Sequence, residues 1–245
     1  MLARPQFWPL AGNSINALLG LASGRFGRYL KTMRIIRDYK YVEPRDKGAS
    51  VAIGNSDGVH LGHQSVIDIA RTQGSAISAP LGVLTFEPHP RSYFAPDAPA
   101  FRLMNPEARS TRLEKLGVER LYELNFNAAL SALTPQEFAK GVIVDGLGLK
   151  HIVVGADFRF GKARAGSVQD LVSFGHEYGF GVTIAPLIAA GLGEVSSTSI
   201  RTALTEGRPR DAADQLGHWH RIEGPVISGE QRGRELGYPT ANMSL

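Results

Sequence analysis

The sequence predicts an α/β protein: a doubly wound parallel sheet followed by an incomplete β segment. Three observations carry this. Five short apolar runs alternate with helix-like segments, and the runs are apolar on both faces, as buried parallel strands are. The intervening segments open with helix start signals. After Gly217 the pattern changes to turns and short extended pieces with no further helix.

The strands expected in order are "SVAIGN" (50–55), "LGVLTFEP" (81–88), "RLYELNF" (120–126), "HIVVGADF" (151–158) and "GVTIAPLI" (181–188). Between them, Asn105-Pro106-Glu107 supplies an N-cap, a proline at the first helical position and an acid in the first turn. Thr134-Pro135-Gln136-Glu137 reads as a capping box, and Ser167 with Asp170 as another. Gly117, Gly146 and Gly179 stand where these helices should stop. Strand–helix alternation of this kind gives a parallel sheet covered on both faces, with ligands at the carboxyl ends of the strands. Residues 89–104, "HPRSYFAPDAPAFRLM", interrupt the rhythm, as a ligand wall or a surface excursion would.

The 245-residue chain is 43% hydrophobic, enough for a sizeable core. It has no cysteine, so no disulfide framework and no thiolate metal site, which suits a reducing compartment. The net charge of +4 comes from scattered basic residues, which indicates no nucleic-acid groove and suits small polyphosphates. No apolar run is long enough for a transmembrane helix. Met33 opens "MRIIRDYKYVEPRDKGASVAIGN", which runs into the first expected strand. Residues 1–32 are therefore expected to be a poorly ordered upstream extension. The last 28 residues, 218–245, are too few to bury a core alone.

The densest cluster is "GNSDGVHLGHQ" (54–64), between the first strand and a helix-like run. Gly54, Gly58 and Gly62 permit positive φ and close approach to a ligand. The next helix presents free N–H groups and a partial positive charge, and His60 and His63 add donors. Together these suit an anion, triphosphate above all. A zinc site lacks a third and fourth ligand at usable spacing. "SSTSIR" (196–201) has the same character: hydroxyls at Ser196, Ser197, Thr198 and Ser199, a helix start, and the fork of Arg201. "GADFRFGKARAG" closes the fourth strand. There Asp157 suits a ribose or a metal-bound water, Arg159, Lys162 and Arg164 are basic, and Phe158 and Phe160 offer ring faces.

The first cluster resembles the HxGH signature of nucleotidylyltransferases, and more narrowly the "GNFDGVHLGHQ" element of bacterial FAD synthetases, the bifunctional riboflavin kinase/FMN adenylyltransferases. "TFEPHPR" (85–91), "VVGADFRFGKARAGS" (153–167), "SSTSIRTALTEG" (196–207) and "GPVISGEQRGRELGYPTAN" (224–242) resemble later elements of that family in the same order. The resemblance implies a Rossmann-like adenylyltransferase domain at 33–207, a linker helix at 208–217 and the start of a riboflavin kinase barrel at 218–245. It implies transfer of AMP from ATP to FMN, releasing pyrophosphate, with Mg²⁺ on the phosphates. His60, His63 and Arg201 are then catalytic. Gly54, Asn55, Asp57, Gly58, Gly62, Asp157, Ser197, Thr198 and Ser199 bind ATP. Pro88, His89, Pro90, Asn127, Phe158 and Arg159 lie on the flavin side. Thr240 and Asn242 match the kinase element that holds Mg-ATP.

One position departs from the family pattern: Ser56 replaces the phenylalanine before the motif's aspartate. A hydroxyl there removes packing, or bonds a phosphate. The resemblance implies small-molecule partners and a cytoplasmic enzyme, with neither nucleic acid nor membrane involved. Riboflavin phosphorylation is not expected of residues 1–245 alone, since the family's remaining barrel strands are not among them. The rival readings are a nucleotidylyltransferase for another phosphorylated acceptor and a non-catalytic flavin or nucleotide binder.

Overall fold

A computed structural model describes residues 32–186, 189–190 and 193–243. The expected upstream extension falls outside the described residues, apart from Thr32.

Six parallel strands form one sheet in the order β1-β4-β3-β2-β5-β6. They are β1 Arg34–Ile36, β2 Ser50–Ile53, β3 Leu81–Glu87, β4 Arg120–Asn125, β5 His151–Gly155 and β6 Gly181–Ala185. The period-2 alternation sorts their side chains into two cores. Val51, Ile53, Leu84, Tyr122, Leu124, Ile152 and Val154 lie in one, with Phe138, Val142 and Leu171. Ala52, Val83, Leu121 and Val153 lie in the other, with Ile67, Ala70 and Leu113. Those partners come from α1 (Leu61–Ala76), α3 (Pro106–Lys115), α6 (Val168–Tyr178) and a π-type helix over Phe138–Gly146. The π-type helix follows α5 (Pro135–Glu137), and α2 (Pro90–Phe94) and α4 (Ala128–Ser131) are short.

The expected helix starts are present. Asn105 caps α3 by accepting from Ala108 N–H, and both capping boxes, Thr134 with Glu137 and Ser167 with Asp170, are complete. Gly179 takes the left-handed C-cap conformation. Gly146 does not. It is small because the Tyr39 carbonyl lies 2.6 Å from where its Cβ would be, and the left-handed turn falls at Gly148. β2 to β5 end one to three residues earlier than predicted, with Gly54 and Asn55, Pro88, Phe126 and residues 156–158 in the loops; β6 ends at Ala185, and residues 187–188 of its predicted range lie outside the described residues.

The sheet order places β2 beside β5, with successive connections leaving in opposite directions. Ligands bind open α/β sheets at such a switch point. Gly54–Asn55 and Gly155–Asp157 lie there, at the carboxyl ends of these two strands.

The two C-terminal helices, α7 (Ser197–Thr205) and α8 (Pro209–Leu216), pack against the loop after α2. Ile200, Ala203, Ala212, Leu216 and Leu103 form their shared apolar contact. The predicted linker helix is thus docked on the first domain. Two short hairpin strands, β7 (Ala189–Ala190) and β8 (Gly193–Glu194), precede α7. Beyond α8, β9 (Val226–Ile227) pairs antiparallel with β10 (Asn242–Met243), with α9 (Arg232–Glu235) between them. Among the described residues these strands do not close a barrel, and Val226, Leu236 and Tyr238 are exposed.

Candidate active site

The loop after β2 is held in an unusual backbone conformation. Gly58 has φ +84°, as a left-handed residue should. Gly54 and Gly62 do not need positive φ. Instead Ser56 (φ 51°) and Val59 (φ 42°) take it, at a cost of about 1–3 kcal/mol each. Gly62 is required for another reason: the His60 ring lies 3.0 Å from where its Cβ would be. His60 is the N-cap of α1, and its Nδ1 accepts from the His63 N–H at 3.4 Å. Because Nδ1 accepts, the proton of a neutral His60 ring resides on Nε2. The His60 and His63 rings stack with centroids 3.7 Å apart. The first N–H groups of α1, at Leu61 and Gly62, have no hydrogen-bond partner among the described residues.

The second loop meets the first through Asp57. Its carboxylate, 2% exposed, accepts from Arg201 Nη2 at 2.8 Å and from Leu103 N–H at 2.9 Å. The Ser197 hydroxyl donates to the Asp57 carbonyl at 2.9 Å. Arg201 Nε donates to the Phe101 carbonyl at 2.7 Å. One carboxylate therefore joins the loop after β2, the loop after α2 and the start of α7.

A cavity of about 650 Å³ opens beside this junction. One part of its wall is polar: Gly54, Asn55, Ser56, His60, Gly62, His63, Ser196 and Ser197. The other is aromatic, with Phe86, Phe94, Phe126, Phe138, Phe158 and Phe160. Those rings form a chain of contacts: Phe94–Phe126 at 5.7 Å, Phe126–Phe86 at 5.7 Å, Phe138–Phe160 at 5.8 Å and Phe160–Phe158 at 5.7 Å. His89, Pro90, Asp157 and Arg159 also line the cavity.

Several predicted site residues have other placements. Asp57 is buried and holds Arg201, so it is not a direct ligand in this arrangement. Arg201 is off the cavity wall with two donors committed, and its Nη1 makes no hydrogen bond among the described residues. Gly58 packs under Leu103 and Leu216, and Pro88 is exposed. Ser199 completes the capping box of α7 with Ser196, and its hydroxyl bonds Gln215. Thr198 is exposed, and Asn127 caps α4. Thr240 and Asn242 lie in the exposed C-terminal segment and do not line the cavity.

The sequence names His60 and His63 as donors, and the structure adds their protonation state. Burial pushes His60 down to about 4, against the pull of Asp57 and with the help of Arg201. Burial, and then His60, hold His63 well below its ordinary value. Burial also takes His89 to about 4. At neutral pH all three are uncharged N–H donors. His63 Nδ1 is buried without a partner.

Stability follows from these shifts. Unfolded imidazoles titrate near 6.5, whereas the folded rings stay neutral until about pH 4 or below. The unfolded state therefore binds more protons in this window, and stability falls as pH drops from 6.5 toward 4. Each ring contributes a slope of up to about 1.4 kcal/mol per pH unit. Thermal melts of wild type and His89→Gln check this: the variant should lose less stability between pH 6.5 and 5. Parallel curves would contradict it.

The family model described as FAD synthetase matches residues 42–199, and the model described as riboflavin kinase matches residues 216–245. The bifunctional riboflavin kinase/FMN adenylyltransferase of Pseudomonas fluorescens is 38% identical over 214 residues, covering 87% of this chain and 68% of the relative. The protein of the same name from Escherichia coli (strain K12) is 36% identical with the same coverage, and that from Bacillus subtilis (strain 168) is 35% identical over 217 residues, 88% of this chain and 68% of the relative. A solved Streptococcus pneumoniae structure, described as a macrolide-efflux protein, superposes with a TM-score of 0.72 at 32% identity, covering 87% of this chain and 69% of that one. No described helix is long and apolar enough to cross a membrane. Since the first of these models takes in β2 to β6, the loop that carries Asp57 and the start of α7, the chain belongs to the FAD synthetase family.

Proposed function

We propose that this chain transfers AMP from ATP to FMN, producing FAD and pyrophosphate. The observation that carries the reading is the single cavity whose wall passes from a run of aromatic rings to the amino ends of two helices. A flavin ring fits the first wall, and a polyphosphate the second.

An oxygen of the FMN phosphate attacks the α-phosphorus of ATP. The bond from that phosphorus to the bridging oxygen breaks, and pyrophosphate leaves with the electron pair. The phosphate nucleophile is ionised at neutral pH, so no general base is required. The work is alignment and stabilisation of charge. His60 and His63 supply neutral N–H donors to the phosphates, and the free N–H groups of α1 and α7 face the same anion. Arg201 adds a positive charge held in place by Asp57.

Magnesium enters as part of the substrate MgATP. Among the described residues no three His, Asp or Glu side chains converge as a cage. Asp157, on the cavity wall, supplies the hard oxygen type that the ion accepts. The substrates are cytoplasmic metabolites, and the reading places the chain there.

The test is direct. Purified chain, FMN and MgATP should yield FAD and pyrophosphate in equal amounts by chromatography. FMN recovered unchanged would contradict the reading, and ATP consumption only with a different phosphorylated acceptor would replace it.

A further inference from the structure

Three arginines line the cavity: Arg91, Arg159 and Arg164. Arg91 is in α2, lines the cavity and is exposed. Its guanidinium carbon lies 4.5 Å from the centroid of the Phe101 ring. The same ring carries the Arg201 guanidinium at 5.2 Å and the His89 ring at 5.0 Å, edge-on. Phe101 thus brings two guanidinium groups near one another, and of the two only Arg201 has a carboxylate partner, Asp57.

The neighbouring cations have their own carboxylates. Arg201 pairs with Asp57 and Arg102 with Glu87. Arg91 makes no ion pair or hydrogen bond through its side chain among the described residues. Arg164, which also lines the cavity, stands on the turn joining Phe160 to Gly166, on the aromatic side.

Position selects the anion. Arg91 shares its short helix with Phe94, which packs on Phe126 in the aromatic wall. Through Phe101 it also adjoins Arg201, at the junction with the phosphate-binding loops. It therefore stands where the aromatic and polar walls meet. A mononucleotide whose ring occupies the aromatic wall must bring its terminal phosphate to that place to reach the α-phosphate of ATP.

We propose that Arg91 holds the monoester phosphate of the acceptor, FMN, and so sets preference for phosphorylated flavin. This rests on the adenylyltransfer reading. A guanidinium gives two parallel hydrogen bonds to a phosphate, and the cation–π contact with Phe101 fixes its direction beforehand.

Steady-state FAD formation by the full chain tests it. Arg91→Ala should raise KM for FMN about 10- to 100-fold, the size of a lost charge-assisted contact, and leave KM for ATP within about twofold. Arg91→Lys should recover part of the loss, since it restores charge without the fork. Riboflavin, which lacks the phosphate, should inhibit wild type and Arg91→Ala with the same Ki against FMN. An unchanged KM for FMN in Arg91→Ala overturns the proposal. So does a rise in KM for ATP alone, or equal loss of FMN and riboflavin binding. A wild-type chain that forms no FAD would instead remove the adenylyltransfer reading on which the proposal rests.

Discussion

Replacing His63 with alanine lowers the rate of FAD formation by about 10²–10³, the size seen when one transition-state hydrogen-bond donor is lost. The half-buried ring stacks on His60 and lines the cavity, and its Nδ1 has no partner among the described residues. The loss should appear in kcat rather than KM for ATP, because the α-phosphate gains negative charge only as the new bond forms. His63→Gln, which keeps an N–H donor on a flexible stem, should retain more activity than alanine. Rapid-quench measurement of the first turnover checks this by separating chemistry from product release. A wild-type rate in His63→Ala would remove the residue from the mechanism.

Asp57→Ala should have the largest effect on both stability and activity. Two contacts end together, the ion pair with Arg201 and the bond from Leu103 N–H, while the backbone carbonyl that accepts from Ser197 remains. Removing one member of a buried pair leaves the other charge uncompensated, at about 3 kcal/mol or more. Arg201, released from Asp57, keeps the carbonyl and the ring of Phe101 but no carboxylate, so the charge beside the cavity is less firmly fixed. We expect a lower thermal midpoint and a loss of FAD formation larger than the lost stability explains at 25 °C. Asp57→Asn separates the two effects. Its Oδ1 still accepts from Leu103, so folding should largely recover, while the neutral side chain cannot hold Arg201 by charge. An Asp57→Asn enzyme with full activity would show that Arg201 needs no such anchor.

Much of the sheet was legible because its signals are local. Val51, Ile53, Ile152 and Val154 are apolar runs that only a two-sided burial explains, and they are strands of the central sheet. The capping boxes at Thr134 and Ser167 were readable because donor and acceptor are three residues apart. β1 was not readable: three residues at a sheet edge, with Ile35 39% exposed, carry too little pattern.

The site was half legible, for the same reason. Gly62, His60 and His63 are close in sequence, and their joint role at a helix start follows from spacing. The bond from Arg201 to the Phe101 carbonyl spans 100 residues, and no local rule contains it. Asp57 could be carried over as a motif residue, but only the fold shows that it faces a guanidinium rather than a nucleotide. The protonation state of the histidines depends on burial, which composition does not reveal. Phe86 and Phe126 read as ordinary strand residues, although they line the cavity.

The most direct test of the central claim is a crystal structure of the chain with Mg²⁺ and an unreactive ATP analogue. The account predicts the triphosphate lying between the amino ends of α1 and α7, within hydrogen-bond distance of His60 or His63 and of the backbone at Ser197. A nucleotide whose phosphates contact neither helix end, or one bound only along the segment after Gly217, would contradict it.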